Sequence, residues 1–330
     1  EFKSDIVFSR GTGSNVLGYL KGADPVLSEE VIVVGAHYDH IGTGAFGSRV
    51  PGKDEIHNGA DDNASGTSGL LELAAYFSAN SENLKRSVLF IAFSAEELGL
   101  LGSSYYADHP AIPMQRTVAM LNMDMIGRLN QKDLTILGTG SSPGWEDIIS
   151  RANRSVGLDI SFNSSPFAPS DQSVFYSKGI PAIQFFTGLH SDYHAPGDDW
   201  EKINSYGEKL VLDLVSKVIW QLNEPDINIA FSKIKGSDSG VSDFKVYLGT
   251  IPDYSNDVEG VRLMDVREDS PAQRAGVEGG DIIVEFAGKR VRNIYDYVYA
   301  LENSRPGIAS DLVLLRGGER ITLTVTPESR

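Results

Sequence analysis

The ten residues Val31–His40, VIVVGAHYDH, begin as an apolar run and end on two histidines and an aspartate. The first five contain no polar side chain, and their valines and isoleucine favour a β-strand. Because polar residues do not alternate with apolar ones, the strand is predicted to be buried on both faces, as in a parallel sheet covered by helices. Histidine and aspartate are costly to bury without partners, so the end of this strand indicates a functional site.

The same buried pattern recurs along the first two thirds of the chain. SVLFIAF (87–93) is a second apolar run, and TVAMLNMDMIG (117–127) and IPAIQFF (180–186) are typical of further buried strands. GTSGLLELAAYFSAN (66–80) has apolar residues at helical spacing, and YGEKLVLDLVSKVIWQLN (206–223) is a long amphipathic helix. This order predicts a doubly wound, mainly parallel α/β sheet with helices on both faces, whose site lies at the carboxyl ends of strands.

The pattern changes after residues 223–225, Asn-Glu-Pro. From about Lys235 the chain has short strand-like runs separated by turn residues, with one longer helix predicted near Tyr295–Glu302. The runs are VYLGTIPD, GVRLMDV, DIIVEFAGKRV and DLVLLRGGERITLTVTP. We therefore predict an α/β domain over residues 1–230 and a small, mainly β domain over residues 231–330.

The composition excludes several classes of function. The 330 residues are 41% hydrophobic and 22% charged, which is ordinary for a globular protein. The net charge of −16 argues against nucleic acid or an anionic membrane as a partner, and no run is long enough to span a membrane. With no cysteine there is no disulfide, cysteine nucleophile or thiolate zinc site, so any metal must be held by His, Asp and Glu.

Metal-binding types of residue collect where the predicted strands stop. They are His37, Asp39, Asp61, Asp62, Glu96, Glu97, Asp124, His194 and Asp198. Nitrogen and oxygen ligands of this kind suit zinc in a site that keeps a position open for water, and a bridging carboxylate suits a two-metal hydrolase. The adjacent pair Glu96 and Glu97 fits a division of labour in which one binds metal and the other handles a proton.

Five motifs in order carry a specific resemblance. GAHYDH, NGADDNASG, SAEELGLLGS, NMDMIG and DYHAPGDD lie between about residues 30 and 220. Together they resemble the di-zinc aminopeptidases of the M28 peptidase family. The resemblance implies two zinc ions, hydrolysis of the N-terminal residue from peptides with a free N-terminus, and a cis peptide bond between Asp62 and Asn63.

The resemblance also implies a ligand set, motif by motif. His37 and Asp124 would hold one zinc ion, and Glu97 and His194 the other. Asp62 would bridge the two, because the bridging aspartate of the family precedes the NASG sequence by one position.

Three further roles follow from the same resemblance. Glu96 would be the general base, since the family motif places the base immediately before the metal-binding glutamate. Asp39 would orient His37 from outside the ligand shell, and Tyr193 would help to hold the oxyanion.

Other polar residues near these motifs have competing interpretations. Asp61 reads as a turn and helix-cap residue, and a cap at Ser170 or Asp171 is favoured over chemistry there. Of the remaining histidines, His40 is the next candidate ligand, but alternation along a strand would turn it to the opposite face from His37. His190 is a candidate for lining the substrate pocket, whereas the other two, His57 and His109, are weaker ligand candidates.

The C-terminal domain has a resemblance of its own. VYLGTIPD followed by GVRLMDVREDSPAQRAGVEGGDIIVEFAGKRVRN resembles a PDZ domain of the bacterial protease-associated kind. Tyr247, Leu248, Gly249 and Thr250 match the loop whose backbone amides receive a peptide carboxylate, beside an edge strand that accepts an added strand. The resemblance implies a peptide or protein C-terminus as a partner, and a bacterial, exported enzyme whose leader lies outside this numbering.

Three rival functions remain open at this point. Glutaminyl cyclases of the same fold bind one zinc ion and lack the first histidine ligand, so the presence of His37 favours two metals. A carboxypeptidase would need a cation for the substrate carboxylate, which Arg49, Arg128 or Arg154 could supply from a loop. The third rival is a PDZ peptide-binding protein with an inactive peptidase domain, in which loss of a ligand or of Glu96 would be expected.

Overall fold

One mixed sheet organises the larger part of the molecule. The computed structural model describes residues 11–44, 47–50, 55–166, 169–227, 229–234, 246–252, 258–292, 296–297, 300–301 and 303–329. Within them the strands of this sheet are, in chain order, β1 (Val16–Leu20), β2 (Val31–His37), β3 (Ser87–Phe93), β4 (Thr117–Met123), β5 (Asp133–Leu137), β6 (Asp159–Asn163) and β7 (Ala182–Phe186). Across the sheet their order is β1-β3-β2-β4-β7-β5-β6.

The centre of the sheet is parallel, as predicted. Strands β3, β2, β4 and β7 run in the same direction, so their carboxyl ends meet at one edge. Strand β1 adds an antiparallel edge beside β3, and β5 pairs antiparallel to β7 while running parallel to β6. All seven residues of β2 are buried, which agrees with the uninterrupted apolar run.

Helices cover both faces of this sheet, which confirms the predicted layers. The helices are α1 (Gly66–Ala79), α2 (Leu101–Asp108), α3 (Trp145–Asn153), α4 (Gln172–Ser177) and α5 (Ser205–Leu222). Ile32 and Val34 pack with α1, α3 and α5 on one face, whereas Val31 and Val33 pack with Tyr106 and Phe175 of α2 and α4 on the other. Among the described residues, no helix is both long and apolar enough to cross a membrane.

The start of α1 is pressed against the end of β4. A Cβ atom on Gly66 would lie 2.4 Å from the carbonyl oxygen of Met123 and 2.4 Å from Oδ1 of Asn63, so only glycine fits there. Asn63 also donates from Nδ2 to Met123 O at 2.9 Å. The turn that precedes α1 is therefore fixed against the carboxyl edge of the sheet.

The part of the C-terminal region that the structure describes forms two antiparallel sheets, one of six strands and one of two, with a core of its own. In the described residues its strands are β8 (Val246–Tyr247), β9 (Thr250–Pro252), β10 (Val261–Val266), β11 (Ile282–Phe286), β12 (Lys289–Arg290), β13 (Ser310–Arg316), β14 (Glu319–Val325) and β15 (Glu328–Ser329), with the short helix α6 (Pro271–Arg274). Strands run in the order β14-β13-β11-β10-β9, β12 pairs with β11, and β8 pairs with β15. Phe286 and Leu312 are fully buried in this core. The helix predicted near Tyr295–Glu302 lies partly outside the described residues, and helical residues within it include Tyr297 and Ala300.

The segment after α5 stays in contact with the larger sheet for some distance. Ser232 N donates to Ser141 O at 2.8 Å, and Ile234 N donates to the Tyr176 hydroxyl at 2.8 Å. The ring of Phe231 packs against that of Tyr176, with 5.2 Å between centroids. Contacts with the α/β domain thus continue to Ile234, and the division after residue 230 stays a prediction.

Candidate metal centre

Three adjacent parallel strands deliver acidic and imidazole side chains to one edge of the sheet. His37 is the last residue of β2, Asp124 directly follows β4, and Glu96 and Glu97 come shortly after β3. Since the carboxyl ends of parallel strands lie together, residues far apart in sequence meet here.

Two loops supply the remaining side chains. Asp62 lies in the turn before α1, and the peptide bond that joins it to Asn63 is cis, as the resemblance implied. The backbone N–H groups of Asp61 and Asp62 donate to Oδ2 of Asp198 at 2.9 and 3.0 Å. Asp198 is fully buried, and these two hydrogen bonds hold the turn in place. His194 comes from the loop after β7.

Asp62 lies between the two histidines and offers one oxygen to each. Its Oδ1 is 3.2 Å from Nε2 of His37, and its Oδ2 is 3.3 Å from Nε2 of His194. His37 Nε2 also lies 3.4 Å from Oδ1 of Asp124, and His194 Nε2 lies 3.1 Å from Oε2 of Glu97. The five side chains thus form two groups that share one carboxylate.

These spacings fit metal ligation. Ligand atoms that share a tetrahedral zinc ion at about 2.0–2.2 Å lie roughly 3.3–3.6 Å apart, close to the four separations found here. His37, Asp62 and Asp124 are all buried and bring ligand atoms within reach of one ion. A second such group, formed by His40, Asp62 and Glu97, lies beside it. The donor set of imidazole and carboxylate groups suits zinc in a chain without cysteine.

The charge balance of the cluster points the same way. Burial lowers the pKa of His37, but the carboxylates of Glu96 and Asp124 raise it well above the ordinary value. Burial likewise opposes protonation of His194, yet hydrogen bonds to Asp62 and Glu97 raise its pKa to about 10. The carboxylates therefore stabilise positive charge placed between them, and divalent cations would supply that charge.

Asp39 organises the turn that carries the two glutamates. Its Oδ1 accepts from Glu96 N at 3.0 Å and its Oδ2 accepts from Glu97 N at 3.3 Å. Toward His37 the nearer group is the backbone carbonyl of Asp39, 3.1 Å from Nδ1, whereas the carboxylate is 3.8 Å away. Because β2 ends at His37, the alternation of a strand does not continue to Asp39, and its backbone carbonyl rather than its carboxylate is the nearer group to the imidazole.

Glu96 is half-buried in the turn that follows β3. Burial raises the pKa of its carboxyl well above the ordinary value, and the carboxylates of Asp124, Asp171 and Glu97 add to the rise while His37 opposes it. A carboxylate with a raised pKa is well suited to accept a proton near neutral pH.

Tyr193 lies against the second histidine. Its ring stacks on that of His194, with 4.0 Å between centroids and 27° between planes. Burial raises the pKa of the Tyr193 phenol, and the carboxylates of Asp62 and Glu97 raise it further, so the hydroxyl stays protonated as a donor.

Three of the residues at or beside the site have an uncommon backbone conformation. Ala95, Met125 and His194 have φ angles of 56°, 58° and 53°, in the left-handed region. For a residue with a Cβ this conformation costs about 1–2 kcal/mol. Two of the three adjoin Glu96 and Asp124 and the third is a proposed ligand, so part of the backbone strain in the described residues lies at the site, as is common for functional positions.

His40 is the site residue that sequence reasoning placed on the wrong face. Its Nδ1 lies 2.7 Å from Oε1 of Glu97, on the same side as His37 and His194. The expectation failed because strand alternation stops at His37, and the next residues turn back toward the cluster. His194 makes a contact that no sequence pattern predicted: its Nδ1 donates to the carbonyl oxygen of Gly47 at 2.9 Å.

The other histidines lie around the centre or away from it. His190 Nε2 is 3.2 Å from Oδ2 of the buried Asp61, one residue before Asp62. His57 lies 2.9 Å from the Ser48 hydroxyl, in the loop that precedes the Asp62 turn. His109 is exposed at the end of α2, where it contacts Tyr105. Among the described residues it has no hydrogen bond or ring contact with the cluster.

Asp171 is a buried carboxyl rather than a helix cap. It lies at the start of α4, but its side chain accepts no hydrogen bond from the first turn of that helix. Burial raises the pKa of Asp171 to about 7, more than His37 and Ser103 lower it. Ser170, the other predicted cap, instead accepts from Nδ2 of Asn122 at 2.8 Å.

In the C-terminal domain the predicted peptide-binding loop joins β8 to β9. Gly249 has a φ of 80°, and a Cβ atom there would lie 2.2 Å from the Cβ atom of Ser270, so the position requires glycine. The carbonyl of Leu248 accepts from Ala272 N, and the hydroxyl of Thr250 lies 2.8 Å from that of Tyr297. Tyr247 ends β8, and β9 is the last strand of its sheet among the described residues.

Comparison with known proteins covers both domains. The family described as Peptidase family M28 matches residues 15–219, and a PDZ domain family matches residues 225–326. Aminopeptidase YwaD of Bacillus subtilis is 30% identical in an alignment of 224 positions that covers 65% of this chain and 46% of that protein. Leupeptin-inactivating enzyme 1 of Streptomyces exfoliatus is 27% identical in an alignment of 235 positions that covers 65% of this chain and 49% of the relative. The chain spans about half the length of these curated relatives.

Solved structures agree with this assignment. A zinc aminopeptidase from Bacillus subtilis superposes with a TM-score of 0.53 at 30% identity, covering 67% of this chain and 53% of that one. The glutaminyl cyclase of Porphyromonas gingivalis gives 0.54 at 19% identity, covering 63% and 77%, and shares the fold alone. With a family match over well more than half of its length, this chain belongs to peptidase family M28.

Proposed function

We propose that this protein is a metallo-aminopeptidase that removes N-terminal residues from peptides, with two zinc ions at the cluster. The observation that carries the proposal is the arrangement of Asp62, whose two oxygens face His37 and His194 separately. A single metal site would not need a carboxylate shared between two groups of ligands. Relatives named aminopeptidases in peptidase family M28 support the same reaction class.

The ligands divide between two positions. His37 and Asp124 would hold the first ion, Glu97 and His194 the second, and Asp62 would contact both. Zinc bound there would supply positive charge to polarise the scissile carbonyl and acidify a water molecule.

Glu96 is proposed as the proton carrier. Its carboxylate accepts a proton from the attacking water and returns it to the amine that leaves when the peptide bond breaks. The backbone N–H groups that Glu96 and Glu97 donate to Asp39 keep the two glutamates in fixed positions, so one can bind metal while the other stays free.

Tyr193 and Asp39 are proposed to act beside these groups. The protonated hydroxyl of Tyr193 is a donor for the oxygen of the scissile carbonyl as negative charge develops on it. Asp39 is a positioning residue, which acts through the glutamate turn and, by its backbone carbonyl, through His37.

The carboxypeptidase rival is disfavoured by the surroundings of Arg128. Its Nη2 lies 3.0 Å from Oδ1 of Asp198 and 3.3 Å from Oδ2 of Asp192, so this guanidinium is already paired inside the protein. Arg49, whose backbone N–H donates to the carbonyl of His194 at 2.9 Å, is exposed and stays a candidate cation for that rival. The glutaminyl cyclase rival is disfavoured by the burial of His37 between Asp62 and Asp124.

The substrate end is tested with matched peptides. We expect cleavage of a panel of peptides with free N-termini and no cleavage of the same peptides when they are N-acetylated. Zinc chelation should abolish cleavage of the free peptides. Products are identified by mass spectrometry, and peptides amidated at the C-terminus serve as the control. Cleavage that survives N-acetylation but stops on C-terminal amidation would replace the aminopeptidase by a carboxypeptidase.

The C-terminal domain is proposed to bind a peptide or protein C-terminus at the loop Tyr247–Thr250 and the neighbouring edge of β9. It would then deliver or select peptides for the α/β domain rather than take part in the chemistry. Export from a bacterial cell, implied by the resemblance, stays a prediction, which an export signal encoded upstream of Glu1 in the native gene would test.

The C-terminal domain is predicted to be dispensable for small substrates. A chain that ends at Ile234 keeps the contacts to Ser141 and Tyr176, so it should fold and hydrolyse aminoacyl p-nitroanilides with the kcat/KM of the full chain. A chain that ends at Glu224 is the matched control and should unfold at a lower temperature, because Ile227 and Ile229 pack against the core. A folded, zinc-containing chain ending at Ile234 without activity would show that the C-terminal domain is required.

A further inference from the structure

His40 occupies a buried place beside the second group of ligands. Its ring packs against Gly59, where a Cβ atom would lie 2.6 Å from the ring carbon Cγ. Its side chain is 9% exposed, and Nε2 has no hydrogen-bond partner among the described residues. The imidazole is therefore held by packing and by one polar contact, from Nδ1 to Glu97.

The length of that contact distinguishes it from the contacts between the proposed ligands. Ligand pairs such as His194 and Glu97 are 3.1–3.4 Å apart, whereas His40 Nδ1 is 2.7 Å from Glu97 Oε1. The shorter distance is that of a charge-assisted hydrogen bond. Because a carboxylate only accepts, Nδ1 of His40 carries the hydrogen. His40 Nδ1 is 3.9 Å from Oδ2 of Asp62, too far for a hydrogen bond.

We propose that His40 is a positioning residue for the second metal position. By donating to Oε1 it fixes the carboxylate plane of Glu97 and turns Oε2 toward His194, 3.1 Å away. Without that donor the glutamate must be ordered when metal binds, which weakens binding at this position. In the described structure His40 makes no hydrogen bond or ion pair with His37 or Asp124, which would hold the first ion, so the larger effect is expected at the second ion.

The inference rests on the proposed metal centre and is tested by zinc affinity rather than activity. Zinc is titrated into the apo form of the full chain against a chelator, for wild type and for His40→Ala, His40→Asn and His40→Gln. Loss of a partner of this kind costs about 10–100-fold in metal affinity, so His40→Ala should keep one tight zinc ion and bind the other about 10–100-fold more weakly. Asparagine places an N–H near the position of Nδ1 and should restore most of the affinity, whereas glutamine places it near Nε2 and should not. His109→Ala, at an exposed histidine outside the cluster, is the control and should bind as wild type.

Several results would overturn the role of His40. One is equal affinity of His40→Ala and wild type for both ions; another is a His40→Asn variant as weak as His40→Ala, which would indicate that the ring nitrogen itself binds metal. If His40→Ala does not fold, the comparison of zinc affinity between His40→Asn and His40→Gln decides the question alone. Wild-type protein that binds fewer than two zinc ions would instead overturn the proposed centre, so the two failures are distinguishable.

Discussion

Glu96→Gln should lower turnover of free aminoacyl substrates by about 10²–10⁴-fold, the usual contribution of general acid–base catalysis, while leaving both zinc ions bound. Glutamine keeps the shape of the side chain and removes its basicity. The backbone N–H of residue 96, which donates to Asp39, is unchanged, so the turn that carries Glu97 should stay in place. Turnover is measured as kcat on an aminoacyl p-nitroanilide, and zinc by mass spectrometry of the purified chain.

Glu97→Gln is the matched control, because it makes the same chemical change one residue along. It should lose zinc from the second position, since its Oε2 lies 3.1 Å from Nε2 of His194 at the proposed second metal position. If Glu96→Gln keeps turnover near that of wild type, or is the variant that loses zinc, the two roles have been assigned in the wrong order.

The pH dependence of wild-type kcat/KM should report the same carboxyl. Glu96 must be ionised to accept a proton, so activity should rise with pH through its pKa and fall as pH drops below it. Burial raises that pKa in the protein without metal, and the two proposed zinc ions would favour the ionised carboxylate and lower it again. The residual activity of Glu96→Gln should lack this acid limb, and a limb that is unchanged in the variant would belong to another group.

Asp62→Ala should release both zinc ions and abolish hydrolysis. Asp62 is the one side chain among the described residues whose oxygens face both histidines, so its removal takes a ligand from each position at once. Loss of a residue that only supports a ligand lowers zinc affinity about 10–100-fold, and loss of Asp62 should lower it more than that.

His37→Ala is the control for Asp62→Ala, because it removes a ligand from the first position only. It should retain zinc at the second position, where Asp62, Glu97 and His194 remain. Zinc per chain is measured after dialysis against a weak chelator, and far-ultraviolet circular dichroism checks that both variants are folded. An Asp62→Ala variant that keeps two zinc ions, or loses no more than His37→Ala, would rule out a bridging role.

The central strands of the fold were predictable because their apolar runs are long and contain few polar residues. Strands β2 and β3 arise from such stretches, and β4 and β7 from apolar runs with one amide residue each. Helices α1 and α5 were predictable because their apolar residues recur at helical spacing. Strands β1 and β6 lie at the two edges of the sheet, have five residues each and are mostly exposed, so neither forms part of a long apolar run. Strand β5 runs antiparallel to its neighbour β7, and its direction depends on pairing that no local pattern encodes.

At the site, the sequence indicated which residues end the strands but not how loops return to them. His37 and Asp124 follow directly from buried strands, whereas His40 lies beyond the strand end, where alternation no longer predicts direction. The carbonyl of Gly47 reaches His194 across 147 positions of sequence, and a backbone group has no residue signature. The buried Asp171 looked like a cap residue because aspartate before a helix usually is one.

The proposal of two metals is tested most directly by the number of zinc ions per chain, determined by inductively coupled plasma mass spectrometry on wild-type protein saturated with zinc and then gel-filtered. The arrangement of His37 and His194 on the two oxygens of Asp62 predicts two ions per chain. A value of one would contradict a shared carboxylate and favour the single-metal chemistry of a cyclase, and a value of zero would remove the metal centre altogether.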